Sequence, residues 1–139
     1  MTKTSTDQAQ ALWASMPFIE LLGAELVAAG PQEVRGRVAW DPARCTDGGV
    51  LHGGLLMALA DSTGALCAFL NLPDDRHATT TIESKTNFLR AVRGGDVTAT
   101  SRPLHAGRRV AVVETELCDE DGRLVAKVTQ TQAVIAPAG

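Results

Sequence analysis

The longest apolar pattern in the chain lies in its middle, from Asp47 to Leu70. It begins with glycines and continues as a helix-length run, in which Asp61 is the only charged residue between Gly53 and Pro73. At about 100° per residue, four leucines form one narrow stripe: Leu55, Leu59, Leu66 and Leu70. Asp61 falls far from that stripe. A helix that is apolar or small all round is typical of a buried position, so we expect Asp61 to be buried too.

Asp61 also separates the interpretations of this helix. The run approaches the roughly 20 residues of a membrane span, but Asp61 at its centre and polar neighbours such as Ser62 and Asn71 exclude that reading. A buried carboxylate can serve structure alone, by accepting backbone hydrogen bonds. Because an unpaired one is costly, its presence more often indicates a working site.

Strand-like patterns surround the central helix. Alternation and Thr/Val-rich runs predict six strands: Glu25–Ala29, Glu33–Trp40, Thr79–Leu89, Asp96–Arg102, Arg109–Cys118 and Arg123–Ile135. A short helix is predicted over Gln8–Met16, with Phe18, Ile19, Leu21 and Leu22 closing one end of the core. The turn Asp119–Gly122 indicates a hairpin, and Pro103 indicates an edge or bulge. One apolar helix with six strands predicts an α+β fold, an antiparallel sheet wrapped around the helix.

Composition narrows the class of protein. With 139 residues, 45% hydrophobic and 21% charged, the chain is expected to form one domain, 1–139, with flexible ends at 1–6 and 136–139. The net charge of −3 predicts no nucleic-acid partner. Three cysteines without metal or disulfide spacing, and a polar beginning without a hydrophobic leader, favour the cytoplasm and no metal site.

The beginning of the helix supplies a second kind of group. Gly53 and Gly54 are expected to present free backbone N–H groups at a helix N-terminus, where they can stabilise an oxyanion. Asp61 lies eight residues further on, which is about 12 Å of helix rise. One substrate carbonyl cannot reach both groups of the same helix. If they cooperate, Gly53 of one subunit must face Asp61 of another, across the two-fold axis of a dimer.

At this point the residues resemble a known family. His52-Gly53-Gly54, with an acid nine residues after the histidine, is similar to the hotdog-fold thioesterases of the phenylacetic acid degradation type and to 4-hydroxybenzoyl-CoA thioesterases. Three later segments resemble the same family in order and spacing: Arg90–Asp96, His105–Arg109 and Asp121–Ala126. The resemblance implies the hotdog fold, acyl-CoA as substrate, and a tetramer built from two dimers.

The resemblance also implies roles for individual residues. Gly53 would supply the backbone donor, and Asp61 would activate water or attack directly. Thr81, on the following strand, would help to hold the water. Many relatives carry Asn or Gln six residues before the histidine, where this chain has Thr46; a hydroxyl cannot provide the full donor capacity of an amide. Thr46 and Gly54 are expected to contact the substrate.

Several cationic residues follow the helix. Arg90, Arg93, Arg102, Arg108 and Arg109 lie in strand ends and turns. A cluster of some of them would bind the phosphates of CoA, because guanidinium pairs with phosphate through two hydrogen bonds; scattered surface arginines are the alternative. His52 would either orient its loop or contact the thioester.

The sequence therefore predicts an acyl-CoA thioester hydrolase acting on an aryl or medium-chain acyl group, with no cofactor besides the CoA of the substrate. General base and nucleophile remain alternatives for Asp61, since both need the same carboxylate. Two other functions stay open: a hotdog module that binds acyl-CoA without chemistry, and a hydratase or dehydratase that uses His52 with Asp61 across subunits.

Overall fold

The computed structural model describes residues 6–138, and the chain begins there with two short helices. Helix α1 spans Thr6–Ala14 and helix α2 spans Pro17–Leu22. The single helix predicted over Gln8–Met16 is wrong in extent. Proline fits the first position of a new helix, and Gly23 ends α2 in the left-handed conformation at φ 68°.

Helix α2 does not close the core with all of its apolar side chains. Ile19 is buried, but Phe18 and Leu21 are 57% and 78% exposed. The predicted core role is therefore wrong for these two residues. Of the predicted flexible ends, 1–5 and 139 lie outside the described residues, Thr6 begins α1, and 136–138 have no regular secondary structure.

Six strands form one antiparallel sheet in the order β1-β2-β4-β5-β6-β3. They are β1 (Glu25–Ala29), β2 (Val34–Ala39), β3 (Ala78–Phe88), β4 (Asp96–Ala106), β5 (Val110–Cys118) and β6 (Leu124–Ile135). Strand β4 runs four residues beyond its predicted end. Pro103 is tolerated because β2 pairs with β4 only as far as Ser101, and a register shift follows between Pro103 and His105.

The central helix, α3 (Gly53–Leu70), crosses the inner face of the sheet and contacts strands β2 to β6. Gly36 allows the close approach, since a Cβ there would lie 2.7 Å from Cγ2 of Thr63. Among the described residues, α3 has the length and hydropathy of a membrane span, but it is also the core helix, half buried against the sheet. The architecture is the hotdog fold predicted above.

A chain of hydroxyls lies beneath α3. Ser101 donates to Oγ1 of Thr63 at 2.8 Å and shares a 2.7 Å hydrogen bond with Thr115. All three side chains are fully buried. These bonds satisfy polar groups inside the core, and they join the helix to β4 and β5.

The predicted hairpin between β5 and β6 is confirmed. Asp119 accepts the backbone N–H groups of Asp121 and Arg123 at 3.0 and 2.9 Å, and its side chain is 8% exposed. Hydrogen bonds from the Arg123 and Asp121 backbones, with the Arg123 guanidinium beside them, hold the pKa of the Asp119 carboxyl below its ordinary 3.8. Gly122 completes the turn at φ 79°.

Candidate functional site

The beginning of α3 is capped by the residue that precedes it. His52 is extended at φ −63° and ψ 130°, and its Nδ1 accepts the backbone N–H of Gly54 at 2.8 Å. The expectation of a free Gly54 N–H is therefore wrong. Among residues 6–138, the N–H of Gly53 has no acceptor. Of the two roles considered for His52, the structure supports orientation of the loop.

A cleft of about 360 Å³ opens beside Gly53. Thr46 and Arg90 line it, together with apolar side chains that include Leu56 and Phe88. The Phe88 ring lies directly over the glycine, since a Cβ at Gly53 would be 3.1 Å from its Cζ. Gly53, Thr46 and Arg90, three of the predicted site residues, thus meet at one cleft.

A second cleft, of about 810 Å³, lies on the other side of the capping residue. His52 and Gly54 form one wall, and the exposed side chains Phe18 and Leu21 of α2 form another. The helix that contributes little to the core therefore supplies an apolar surface next to the beginning of α3.

Asp61 lies in the third turn of α3 on the side of the helix that the sheet leaves uncovered. It is exposed, so the predicted burial is wrong. The neighbours on this side are Met57, which is 37% exposed, and the half-buried Ala58, Ser62 and Ala65. The prediction was wrong because the residues around Asp61 are small or apolar, which is typical of a helix buried on all sides. In the structure only one side of α3 packs on the sheet.

The carboxylate of Asp61 is held by one of its two oxygens. Oδ1 accepts the hydroxyl of Thr81 at 3.1 Å and Nε2 of Gln130 at 3.2 Å. Gln132 in turn donates to Oγ1 of Thr81 at 2.7 Å. Oδ2 has no hydrogen-bond partner in the described part of the chain. Thr81, predicted near the acid, does lie there, with its proton directed at Asp61.

Sequence reasoning missed both glutamines. The buried side of β6 runs Ala126, Val128, Gln130, Gln132, so it changes from apolar to amide side chains where it passes Asp61. Two polar residues in the inward phase of a strand are the signal that was available. Gly64 makes room for them, because a Cβ at that position would overlap the Gln130 amide.

A register shift brings Thr81 to the site. The pairing of β3 with β6 is interrupted between Thr81 and Glu83, where Ile82 is the extra residue. Thr81 lies opposite Gln132, and Ser84 lies opposite Gln130. Residues three apart on β3 therefore share the inner side of the sheet, which regular alternation would forbid.

The five arginines do not meet within one chain. Arg93 donates to the carbonyl of Gly48 at 2.9 Å, so the Arg90–Gly95 turn lies at the beginning of α3. Arg108 pairs with Asp75 at 2.7 Å, five residues past the end of that helix. The Arg108 guanidinium holds the pKa of the Asp75 carboxyl below its ordinary value. The two ends of α3 are about 27 Å apart.

The remaining candidates are distributed between these two ends. Arg102 pairs with Glu33 at 2.7 Å, whereas Arg90 and Arg109 form no ion pair among residues 6–138. His77 and His105 are exposed. No group of three His, Cys, Asp or Glu side chains in the described chain could hold a metal ion.

Comparison with known proteins identifies relatives of this chain. A family model described as the thioesterase superfamily matches residues 48–126, more than half of the chain. A thioesterase from Haemophilus influenzae has a crystal structure that superposes with a TM-score of 0.88 at 28% identity, covering 99% of this chain and 95% of that one. A mutant thioesterase from Pseudomonas aeruginosa gives 0.87 at 27%, covering 97% and 96%. The 1,4-dihydroxy-2-naphthoyl-CoA hydrolase of Escherichia coli is 34% identical over 87 residues, 63% of each chain.

Proposed function

We propose, from the premise that this chain belongs to the thioesterase superfamily, that it hydrolyses an acyl-CoA thioester to the free acid and CoA. The observation that carries the proposal is the state of Asp61. One carboxylate oxygen is held by Thr81 and Gln130, and the other has no partner among residues 6–138 and lies on an exposed side of α3. A carboxylate with one fixed and one free oxygen is suited to a catalytic role rather than to a structural one.

The chemistry requires one water and no further reagent. As general base, Asp61 takes a proton from water while the oxygen of that water forms a bond to the thioester carbon. The C–S bond then breaks, and the departing thiolate receives the proton. As nucleophile, the carboxylate would form an anhydride that water then hydrolyses. Both routes pass through an oxyanion, which the N–H of Gly53 is available to stabilise.

The site is proposed to form between two subunits. Gly53 and Asp61 are separated by about 12 Å along one rigid helix, so one carbonyl reaches both only if a second copy contributes one of them. Two features support a two-fold contact at this place. The side of α3 that carries Asp61 is exposed, and β3 is an edge strand that pairs only with β6 among residues 6–138. A tetramer made of two such dimers is the assembly that we propose.

The substrate is proposed to be an aryl or medium-chain acyl-CoA. The clefts beside Gly53 and His52 have largely apolar walls that suit such a group, with Thr46 and Gly54 in contact with it. The naphthoyl-CoA hydrolase among the relatives favours the aryl class. Arg90 lines the same cleft as Gly53 and would meet the phosphates of CoA bound there, while Arg102, Arg108 and Arg109 would act from the other end of the fold in a second subunit.

The proposed hydrolysis requires no cofactor, because the base and the oxyanion donor belong to the chain itself. Its three free cysteines suit the reducing cytoplasm. The test is release of thiol from benzoyl-, phenylacetyl- and medium-chain acyl-CoA by the purified protein, with Asp61→Asn as the control. Binding of acyl-CoA without thiol release would indicate a non-catalytic module. Hydration of an enoyl-CoA without thiol release would indicate a hydratase.

A further inference from the structure

We infer that Gln130 is a positioning residue for Asp61, and that its buried amide fixes one carboxylate oxygen so that the other faces the substrate. This inference rests on the proposed hydrolysis and adds to it the device that holds the acid in place. Gln130 itself does not touch the reacting atoms.

The first support is the cost of placing this residue where it is. Gln130 is fully buried, and the bond from Nε2 to Asp61 is the only hydrogen bond of its side chain to residues 6–138. A buried amide with few partners is less favourable than an apolar side chain of similar size. Val128, two residues earlier on the same side of β6, shows the apolar alternative. The amide at 130 is thus better explained by its contact with Asp61 than by packing.

The second support is the space made for the amide on the helix. Gly64 lies three residues after Asp61, in the buried half of α3. Even the Cβ of an alanine at this position would overlap the Gln130 amide. Glycine in the interior of a helix is less favourable than alanine. Helix and strand therefore both depart from what stability favours, at the same contact.

The third support is the direction of every hydrogen bond at the carboxylate. The amide oxygen of Gln130 would repel Asp61, so the nitrogen must face it. Gln132 donates to Thr81, which leaves the Thr81 proton for Asp61. Oδ1 thus receives two donors, whereas Oδ2 receives none from the described residues. The bonds define the rotation of the carboxylate and leave Oδ2 as the oxygen that acts.

The test is a double-mutant cycle on thioester hydrolysis. Gln130→Met keeps length and volume but removes the donor. It should lower kcat roughly ten- to a hundredfold, the size expected for a hydrogen bond to a charged group, with KM changed less than about twofold. In an Asp61→Ala background the same change should alter kcat less than about twofold, because there is no carboxylate left to position.

Two further variants separate positioning from stability. Gly64→Ala should displace the unaltered Gln130 amide and reproduce the loss of kcat, which keeps the test available if Gln130→Met does not fold. Ser101→Ala removes a buried hydroxyl under the same helix that bonds to Thr63 and Thr115, not to Asp61. It should lower stability, and its effect on kcat should be the same with and without the Asp61→Ala change.

The same cycle is measured on urea unfolding, so that the contact is tested without hydrolysis. The effects of Gln130→Met and Asp61→Ala on the unfolding free energy should be non-additive. Additive unfolding effects would overturn the contact, and equal kcat losses with and without Asp61 would overturn the positioning role. Failure of the wild type to release thiol would overturn the proposed function, while non-additive unfolding would still establish the Gln130–Asp61 bond.

Discussion

The backbone N–H of Gly54 donates to Nδ1 of His52, whereas the N–H of Gly53, one residue earlier, has no acceptor among residues 6–138. Because the imidazole binds only one of these two N–H groups, the two adjacent glycines differ in what their backbones can bind. Gly54 closes the helix cap, and Gly53 remains as the donor that can face a ligand.

Removing the Gly53 donor should slow hydrolysis. Gly53→Pro deletes the N–H at a helix position where proline is favoured, after a residue already extended at ψ 130°. We expect kcat to fall roughly 10²- to 10³-fold, as for other oxyanion donors. Gly53→Ala is the matched control, since it brings the same 3.1 Å contact with Phe88 but keeps the N–H. Equal losses in the two variants would assign the effect to Phe88 and not to the donor.

Neutralising Asp61 should abolish most of the activity without affecting the fold. Asp61→Asn keeps size and polarity, and we expect kcat to fall by roughly 10²- to 10⁴-fold, as on loss of a general base. Because Asp61 is exposed, no gain in stability is expected. Thr81→Ala should lose less, since Gln130 still binds Oδ1. Thiol release and thermal unfolding measure the two effects; a wild-type rate for Asp61→Asn would make the residue structural.

Sites shared between subunits should be restored by mixing two inactive proteins. Gly53→Pro and Asp61→Asn chains, unfolded together and refolded in equal amounts, form hybrid dimers with one intact and one doubly altered site. About a quarter of the wild-type activity should return. If both groups acted within one chain, no activity would return. Sedimentation at assay concentration provides the independent check, and a fully active monomer would exclude the shared site.

Reversing the charge of the arginines that we propose to bind phosphate should weaken substrate binding without slowing the chemical step. Arg90→Glu and Arg109→Glu should raise KM with little change in kcat, and the penalty should shrink as salt rises. Arg108→Glu should have a smaller effect, because Arg108 must leave Asp75 before it meets a phosphate. Arg35→Glu, at an exposed ion pair with Glu33, controls for net charge. Unchanged KM in all variants would place the phosphates elsewhere.

Acid should destabilise the protein partly through Asp119. Because its pKa is lower in the folded chain than the ordinary 3.8, the ionised carboxylate stabilises the fold above that pH. This contribution should be lost as pH falls from about 3.8 through the lowered value. The urea midpoint of Asp119→Asn should therefore depend less on pH in this range than that of the wild type. Asp74→Asn, which removes one negative charge from an exposed loop, is the control for net charge.

Features that depend on a single helix, strand or turn were predictable from the sequence. The alternating run Glu33–Trp40 predicted β2, and the apolar run after His52 predicted α3. The turn at Asp119 followed from its residue types. In each case the determining interactions lie within a few residues of each other along the chain.

Features that depend on distant partners were not predictable. The exposure of Asp61 depends on which side of α3 the sheet covers. Small residues occur on both the buried and the exposed side of this helix, so they do not indicate which side that is. The path of β4 past Pro103 depends on where β2 ends. The contacts of Gln130 join residues 69 positions apart. The odd spacing of Thr81 and Ser84 on one side of β3 requires a register that no local pattern reveals.

The extra residue at Ile82 affects how this chain should be aligned with its relatives. Without it, the ladder from Thr81 to Glu83 would be continuous, and Thr81 and Ser84 would be two positions apart. A relative with the uninterrupted strand would therefore carry its corresponding hydroxyl one residue nearer to the end of β3. Counting back from the end of β3 at Phe88 would then select a side chain on the outer side of the sheet. Equivalent residues on this strand have to be matched by their pairing partner on β6, Gln132 for Thr81, and not by sequence distance.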